Sequence, residues 1–367
     1  MNEKYNIELQ TTTPLHIGNG KSYSSLEYFI DKGHINFIDI NSVFESIGKG
    51  KTEEESIKAI DELSKKIEKS VINTQQTIDA KAFFAEYVVN VSDFVIKTLQ
   101  TDIKPQKRVE IHQFINQNGR YYIPGSSIKG AIRTAYLFNY FDKNENIEKL
   151  VRVLNDHQIY DKSKSNELNK IVFGEITDDF FKYIHVEDSQ FLTDDNIKVI
   201  ETRRYNNKPQ TTRFNNKPQK ETILIYLETI KENTLVNFEI KIHDRFNGKI
   251  EDMKNSIRNL TGIVCDYEIK NNKNPDFIRD FYDKILDSMK NPDEIYLNVG
   301  FGGGFLPKTI YLLLWKYKKE INLIKRLLPT RNDKRKGIYQ RVDSFDDFPR
   351  TKTIYDDNPI GWVKLKF

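Results

Sequence analysis

The spacing of apolar residues changes along the chain between a period of two and a period near 3.6, which predicts a mixture of strands and helices. Alternating segments predict strands at 5–12, 26–30, 34–40, 121–123, 183–187, 198–202, 222–229, 236–243, 294–299 and 361–367. Helical spacing predicts helices at 52–72, 80–99, 125–141, 150–173, 252–265, 275–289 and from 307 onward. The turn residues Asp31-Lys32-Gly33 favour a hairpin between the strands on either side. The strands at 222–229 and 236–243 are expected to form an antiparallel pair.

The order of these elements is close to β-α-β-β-α-β in each half of the chain. We therefore expect an α+β fold of two ferredoxin-like (RRM-like) domains with helical insertions. Residues 1–220 would form the N-terminal domain, which carries a helical insertion and a basic, thumb-like hairpin. Residues 221–367 would form the C-terminal domain, which carries a glycine-rich loop.

Composition narrows the class of protein. Of the 367 residues, 38% are hydrophobic and 12% aromatic, which is enough for a packed core. The single cysteine, Cys265, excludes a disulfide framework and a cysteine-based zinc site. The apolar run Ile310–Trp315 is far too short to span a bilayer, and Met1–Asn6 lacks the apolar segment of a signal peptide. The histidines show no metal-ligand spacing. We expect a cytoplasmic protein with no metal and no cofactor.

Charge is distributed unevenly, although the net charge is only +4. Six basic residues and no acidic residue lie between Arg203 and Lys220. Within this segment Tyr205–Gln210 is nearly repeated as Phe214–Gln219, and both copies are polar and typical of turns. The pattern predicts a protruding basic hairpin. Such a hairpin suits a polyanion, and a solvated surface is the alternative interpretation.

The segment Ile123–Thr134 is the first candidate binding motif. Pro124-Gly125-Ser126-Ser127 opens a helix, and the free N–H groups of a helix N-terminus attract phosphate. Lys129 and Arg133 are four residues apart and share one face of that helix. The alternative is an ordinary capped helix that packs on a sheet. Capping does not explain Gly130, which lies inside the helix.

The second motif is Gly300–Gly304, a glycine-rich turn between a strand and a helix. The dinucleotide fingerprint G-x-G-x-x-G fails because Phe305 occupies the third glycine position, and the Walker pattern is absent. The sequence Gly-Phe-Gly also occurs in the aromatic strand motif of RRM domains, but the residues that follow it in this chain do not match that motif. Four glycines in five residues indicate close backbone contact with a ligand, or else a tight turn packed against protein.

The third motif is Thr13–Lys21, where His16 precedes a glycine-containing loop. A histidine in this setting could act as an acid or base in RNA cleavage. A structural histidine is the alternative.

Together these three motifs resemble the CRISPR-associated RAMP superfamily. Within it the chain is most similar to the capping subunit of type III-A Csm effector complexes, with comparable segments at Arg203-Arg204-Tyr205, Gly300–Phe305 and Pro359–Val363. The candidate RNA-binding residues are His16, Gly18, Lys21, Gly125, Ser126, Ser127, Lys129, Arg133, Arg203, Arg204, Tyr205, Arg213, Gly302, Gly303 and Gly304.

The resemblance implies a non-catalytic subunit that binds the backbone of a crRNA near its 3′ end and caps the filament. It implies crRNA, the RAMP backbone subunit, other Csm subunits and a maturation nuclease as partners. A metal-independent endoribonuclease that uses His16 is the main alternative, and a nucleotide-binding enzyme that uses Gly300–Gly304 is a weaker one. The acidic helix Glu53–Glu68 is either a docking surface or a solvated insertion.

Overall fold

The structure is a computed structural model, and it describes residues 3–72, 79–103, 109–156, 163–206, 223–246, 248–320, 323 and 351–367. The strands in these residues are β1 Glu3–Thr11, β2 Gly18–Tyr23, β3 Tyr28–Asp31, β4 His34–Ile38, β5 Val95–Thr101, β6 Ile111–Phe114, β7 Asn116–Gln117, β8 Arg120–Tyr121, β9 Ile184–Val186, β10 Ile197–Asn206, β11 Ile223–Ile230, β12 Leu235–Ile242, β13 Ile295–Asn298, β14 Thr351–Tyr355, β15 Asn358–Pro359 and β16 Trp362–Lys366. The α-helices are α1 Ile40–Gly48, α2 Glu53–Ile72, α3 Ala80–Phe84, α4 Gly125–Phe141, α5 Asn144–Asp156, α6 Ser163–Phe173, α7 Ile250–Lys270, α8 Asp276–Ser288 and α9 Tyr311–Lys316.

Two large sheets organise the molecule. Sheet A has five strands in the order β13-β16-β1-β12-β9, and each neighbouring pair is antiparallel. Sheet B has nine strands, which follow the order β2-β6-β11-β10-β5-β4-β3 with β14 and β15 attached through β10. Within sheet B the pairs β5–β10 and β6–β11 are parallel. The α+β class predicted from the sequence is confirmed.

Each sheet takes strands from both sides of residue 220. In sheet A, β1 and β9 precede that residue, whereas β12, β13 and β16 follow it. In sheet B, β11 and β14 follow it and both pair with β10. A cut of the chain at residue 220 would therefore divide both sheets.

The strands β11 and β12 form where alternation predicts them, but the expected pairing between them is wrong. β11 pairs with β10, where Leu227 lies opposite Ile200, and β12 pairs with β1, where Phe238 lies opposite Ile7. Alternation identifies a strand that is buried on one face, but it does not identify the neighbouring strand. β11 lies between β10 and β6, and β12 lies between β1 and β9, so the connection after Ile230 crosses from sheet B to sheet A.

The helix expected at 80–99 is also wrong. The observed helix, α3, ends at Phe84, and the chain later passes through a short 3₁₀ turn into β5. The Asn90 side chain caps that turn by accepting a hydrogen bond from the Ser92 N–H at 3.2 Å. The β-branched residues Val95 and Ile96 then favour the strand that pairs with β4. The helix expected from residue 307 is a 3₁₀ turn followed by the short α9.

Helices α4 and α7 pack together against sheet A and form the main core. α4 buries Ile128, Ile132, Ala135 and Phe138, which recur at helical spacing along one face. The Asn259 amide of α7 donates hydrogen bonds to the Asn139 and Asp142 side chains at the end of α4, at 2.9 and 2.8 Å. The two helices thereby cover one face of sheet A. In that sheet, β1 leads into the His16 loop and β13 leads into the glycine-rich loop.

The insertion formed by α1, α2 and α3 has a small core of its own. Val43, Leu63 and Phe84 are buried there against Phe29 of β3. α2 is largely exposed, including Ile57 and Ile60. The predicted charged helix at 52–72 is confirmed as α2.

Candidate nucleic-acid interface

The loop that follows β1 lies against the C-terminal part of the chain. Pro14 accepts the Gly361 N–H at its carbonyl oxygen at 3.0 Å, and the Thr13 hydroxyl accepts the Trp362 N–H at 3.0 Å. The His16 carbonyl oxygen accepts the Phe301 N–H at 2.7 Å. Two motifs that are almost 300 residues apart in the sequence, at His16 and at the glycine-rich loop, are thus in direct contact.

His16 is buried, with only 4% of its surface exposed. Its Nδ1–H donates to the Glu228 carbonyl oxygen at 2.6 Å, and its ring makes edge-to-face contacts with Phe114 and Phe301 at 6.1 and 5.9 Å. Burial lowers the pKa of His16 to about 4, despite that hydrogen bond, so the imidazole is neutral at pH 7. General acid–base catalysis at neutral pH favours a pKa near 7. The burial of His16 therefore favours the structural interpretation over the nuclease interpretation.

A buried ion pair lies beneath this loop. The Lys97 ammonium contacts a Glu228 carboxylate oxygen at 2.5 Å and the hydroxyls of Tyr121 and Tyr23 at 2.7 and 3.0 Å. The other Glu228 oxygen accepts the Phe114 N–H at 2.9 Å. Burial alone would lower the pKa of Lys97, but the Glu228 carboxylate outweighs it and raises that pKa. The pair fixes β5, β6 and β11 under His16.

The glycine-rich loop is packed tightly against the rest of the protein. A Cβ atom at Gly300 would lie 2.2 Å from the His16 carbonyl oxygen, and one at Gly302 would lie 2.3 Å from Ile360. At Gly303 it would lie 1.6 Å from the Asn298 side-chain oxygen. Only at Gly304 is the space around a Cβ open to 4 Å. The protein's own packing thus explains glycine at 300, 302 and 303 without a ligand.

The start of α4 is packed in a similar way. A Cβ atom at Gly125 would lie 2.1 Å from the Val186 carbonyl oxygen, because the helix approaches β9 closely. The Gly125 N–H donates to the Asp188 carboxylate at 2.8 Å, so a protein anion already occupies one donor at this N-terminus. Ser126 is exposed and Ser127 half-buried. They are the part of this predicted site that faces solvent.

Lys129 and Arg133 share one face of α4, as predicted, and both have partners within the protein. The Lys129 ammonium donates to the Ile184 carbonyl oxygen at 2.6 Å, and burial lowers the pKa of this lysine. The Arg133 guanidinium lies 2.8 Å from the Asp179 carboxylate and 3.8 Å from the centre of the Phe173 ring. Both cations therefore help to hold α4 on the elements around β9.

The strands β10 and β11 form the base of the predicted basic hairpin, whose tip, including Arg213, lies outside the described residues. Arg203 and Arg204 are exposed at this base, and Arg203 forms an ion pair with Asp357. The Tyr205 ring meets the edge of Phe277 at 5.8 Å. β14 pairs with β10 and carries Thr353, which lies directly opposite Arg204.

The same β14 strand joins the hairpin base to the glycine-rich loop. A Cβ at Gly302 would lie 3.4 Å from the Thr353 Cβ, and Ile360, which follows β15, fills the space beside it. Gly18 and Lys21 are exposed on β2, which begins two residues after His16. The structure thus brings the His16 loop, the glycine-rich loop and the hairpin base together. We call this the convergent surface.

The α4 group of candidates lies elsewhere. It contacts β9, at one edge of sheet A, whereas the glycine-rich loop follows β13, at the opposite edge. Three strands separate the two edges, which is roughly 20 Å at the usual spacing of strands. The candidates therefore form two groups.

Two features of the site were not predicted from the sequence. Phe301 is 37% exposed at the tip of the glycine-rich loop, and the Gly-Phe-Gly match was the available signal for it. The Lys308 ammonium donates to the Gly300 carbonyl oxygen, a contact that no spacing rule indicates. Among the described residues no group of three or more His, Cys, Asp or Glu side chains could hold a metal ion. No helix in the described part of the chain is long and apolar enough to cross a membrane.

Comparison with known proteins identifies the class. The sequence profile of the RAMP superfamily matches residues 8–306, so the chain belongs to the RAMP superfamily. A relative from Methanocaldococcus jannaschii, named CRISPR system Cms protein Csm5, is 35% identical over 98% of this chain and 88% of its own length. A Streptococcus thermophilus protein of the same name is 27% identical over 84% of this chain and 80% of its own length. Within the superfamily the chain is thus a Csm5 relative, as the motifs indicated.

Solved structures share the fold. A chain in the cryo-EM structure of a Csm–crRNA–target RNA ternary complex of a type III-A CRISPR-Cas system superposes with a TM-score of 0.74 at 23% identity, covering all of both chains. The crystal structure of T. onnurineus Csm5 superposes with a TM-score of 0.65 at 22% identity, covering 97% of this chain and 99% of that one. At these identities the likeness establishes the architecture.

Proposed function

We propose that the chain is a non-catalytic, RNA-binding subunit of a type III-A Csm effector complex in the cytoplasm. It binds the backbone of a crRNA near its 3′ end, caps the filament of RAMP backbone subunits and takes part in crRNA maturation, in which a nuclease partner cuts the RNA. The kinship with Csm5 proteins and the fold shared with a chain of a crRNA-containing Csm complex support this proposal.

One observation carries the RNA-binding part of the proposal. The convergent surface joins three segments that were singled out independently in the sequence. It carries the exposed cations Arg204 and Lys21, and a Cβ atom at Gly304 would meet no other atom within 4 Å. Exposed cations around accessible backbone suit the phosphates of single-stranded RNA. On this proposal Gly18, Arg203 and Tyr205 border the RNA path, and the Arg213 tip extends it. Ser126 and Ser127 contribute a second contact at the start of α4.

The order of sheet A supports the ferredoxin-like part of the fold proposal. Along the chain β1, α4, β9, β12, α7 and β16 follow the order β-α-β-β-α-β. In the sheet the four strands lie in the order β16-β1-β12-β9, which is the fourth, first, third and second strand of that motif. β13 adds a fifth strand at the edge. We propose that this unit is RRM-like, and that it is assembled from both halves of the chain. The boundary at residue 220 and the second RRM-like domain stay predictions.

A binding and cleavage experiment tests the function. The purified chain is titrated with a labelled single-stranded RNA across a salt series, and the RNA is then examined for cleavage. We expect salt-sensitive binding with intact RNA. For single strands each phosphate contact contributes about 0.7 to the slope of log affinity against log salt. Arg204→Gln should reduce that slope by roughly this amount, equally for all RNA sequences.

Matched variants make the experiment decisive. Lys290→Gln removes an exposed cation on the turn after α8 and should leave the slope unchanged. Cleavage that disappears with His16→Ala would replace the proposal with the nuclease alternative. Salt-independent binding, or a loss confined to one RNA sequence, would contradict backbone recognition. Co-purification of the tagged chain with Csm backbone subunits tests the capping role separately.

A further inference from the structure

The tip of the glycine-rich loop carries a single side chain between its glycines. Gly300 and Gly302 have φ angles of +71° and +91°, and neither position has room for a Cβ atom. The backbone on either side of Phe301 therefore adopts a conformation that requires glycine at both neighbouring positions. Its N–H is fixed to the His16 carbonyl oxygen at 2.7 Å. The position of this phenylalanine is determined by the main chain on both sides.

The ring of Phe301 is supported from within the protein but is still exposed. The His16 ring meets it edge-to-face at 5.9 Å, with an angle of 87° between the planes. The His16 ring also makes an edge-to-face contact with the buried Phe114, so the side chain that supports Phe301 is itself packed in the core. Within the described residues the contact with His16 is the one ring contact that Phe301 makes, and 37% of the residue faces solvent.

We propose that Phe301 is a stacking platform for one base of the bound single-stranded RNA, a contact that rests on the proposed RNA-binding function and adds a base contact to it. Aromatic rings bind bases of every kind because each base has a π-face. A rigidly held ring loses little conformational entropy when a base stacks on it. The platform therefore adds affinity without sequence preference, next to the cations that contact the backbone.

Another exposed phenylalanine, Phe191, has a ring face that is already covered by other side chains of the protein. Phe191 is 43% exposed, but the Arg120 guanidinium lies 4.1 Å above its centre and Tyr122 meets its edge at 6.1 Å. Its face is covered by the protein's own side chains. Phe191 is therefore a matched control of the same residue type and similar exposure.

The experiment compares Phe301 variants on two RNAs at several salt concentrations. One RNA carries normal bases, and the other is an otherwise identical strand of abasic nucleotides. Phe301→Ala should weaken binding of the normal RNA about 5- to 150-fold, the range that loss of one stacked base produces. It should leave the affinity for abasic RNA unchanged and the salt slope unaltered, because stacking releases no counterions. Phe301→Trp should retain the affinity, and Phe191→Ala should behave as wild type.

The outcomes separate this inference from the proposed function. Salt-sensitive RNA binding that is the same in wild type and Phe301→Ala overturns the platform alone. An equal loss on both RNAs also overturns it, since that loss would reflect a disturbed loop. Phe301→Leu keeps an apolar cover over His16 without an aromatic ring, and it should bind like the alanine variant at an unchanged Tm. A wild-type chain that binds neither RNA overturns the proposed function and the platform with it.

Discussion

The buried pair of Lys97 and Glu228 gives the sharpest test of the structure beneath the convergent surface. The Glu228 side chain is fully buried and that of Lys97 is 14% exposed. Lys97→Met removes the cation but keeps much of the apolar stem. The Glu228 carboxylate then stays in the core with the Phe114 N–H, at 2.9 Å, and the Tyr121 hydroxyl, at 3.4 Å, as its hydrogen-bonding partners.

The size of the effect follows from the geometry. At 2.5 Å and an effective dielectric constant of about 20, two unit charges attract each other by about 7 kcal/mol. Loss of this attraction is partly offset, because a methionine side chain carries no desolvation cost. Breaking a buried ion pair by removing one partner costs about 3–5 kcal/mol in measured cases. We expect Lys97→Met to lower the free energy of unfolding by that amount, which is roughly 4–6 °C in Tm for a chain of this size.

Thermal unfolding followed by tryptophan fluorescence measures the change, with Lys65→Met as the control. Lys65 forms an exposed ion pair with Asp61 on α2, and its loss should leave the Tm unchanged. The double variant Lys97→Met/Glu228→Gln should lose about 1–3 kcal/mol less than the sum of the single variants, since the two charges interact directly. Equal Tm values for Lys97→Met and Lys65→Met, or strict additivity, would refute the buried pair. Because the pair raises the pKa of Lys97, its stabilisation is complete below pH ~10.4 and is lost only as the pH rises through the folded-state pKa.

Three further predictions concern single positions. Gly130→Ala should raise the free energy of unfolding by about 1 kcal/mol in urea, because a Cβ there meets no atom within 4 Å and alanine favours the helix; a loss of RNA affinity in the same variant would instead reveal close approach of the RNA. Gly303→Ala should lower the free energy of unfolding by about 1–3 kcal/mol, since its Cβ would lie 1.6 Å from the Asn298 oxygen, and an unchanged urea midpoint would contradict that packing. Burial lowers the pKa of His16 to about 4, so the unfolded chain binds more protons between pH 6.5 and 4, and wild type should lose up to about 3 kcal/mol across this window that His16→Gln does not lose. Parallel profiles of urea midpoint against pH for the two proteins would disprove the burial of His16.

Local periodicity was sufficient to find most elements but not their partners. The alternation of β1 places Ile7 and Leu9 on the buried face, and the helical spacing of α4 is equally plain in the sequence. β11 pairs with β10, the strand before it in the sequence, and with β6, which lies far earlier in the chain, and not with β12, which follows it. The residues of β11 do not encode that choice by themselves. Both sheets also draw strands from each half of the chain, and these pairings across residue 220 are not indicated by the order of the elements in the sequence.

The candidate site shows the same limit. Glycine is required wherever another group approaches the main chain closely, whether that group belongs to a ligand or to the protein. At Gly300, Gly302 and Gly303 the approaching groups belong to the protein. The motif therefore identified a constrained turn correctly, but it could not identify what constrains the turn. The exposed ring of Phe301, which the turn holds in place, was visible in the sequence only as the middle residue of Gly-Phe-Gly.

Gly125 shows how one such contact changes the role of a neighbouring charge. Gly125 has no side chain, so the start of α4 can pack closely against β9. A Cβ atom at this position would lie only 2.1 Å from the Val186 carbonyl oxygen. One turn later the Lys129 ammonium is close enough to donate to the Ile184 carbonyl oxygen on the same strand. The glycine that suggested an open phosphate site thus brings the lysine onto the protein's own backbone. Charge and glycine spacing alone cannot distinguish these two arrangements, whereas the surface at Arg204 and Phe301 is distinguished by side chains that remain exposed after the fold is complete.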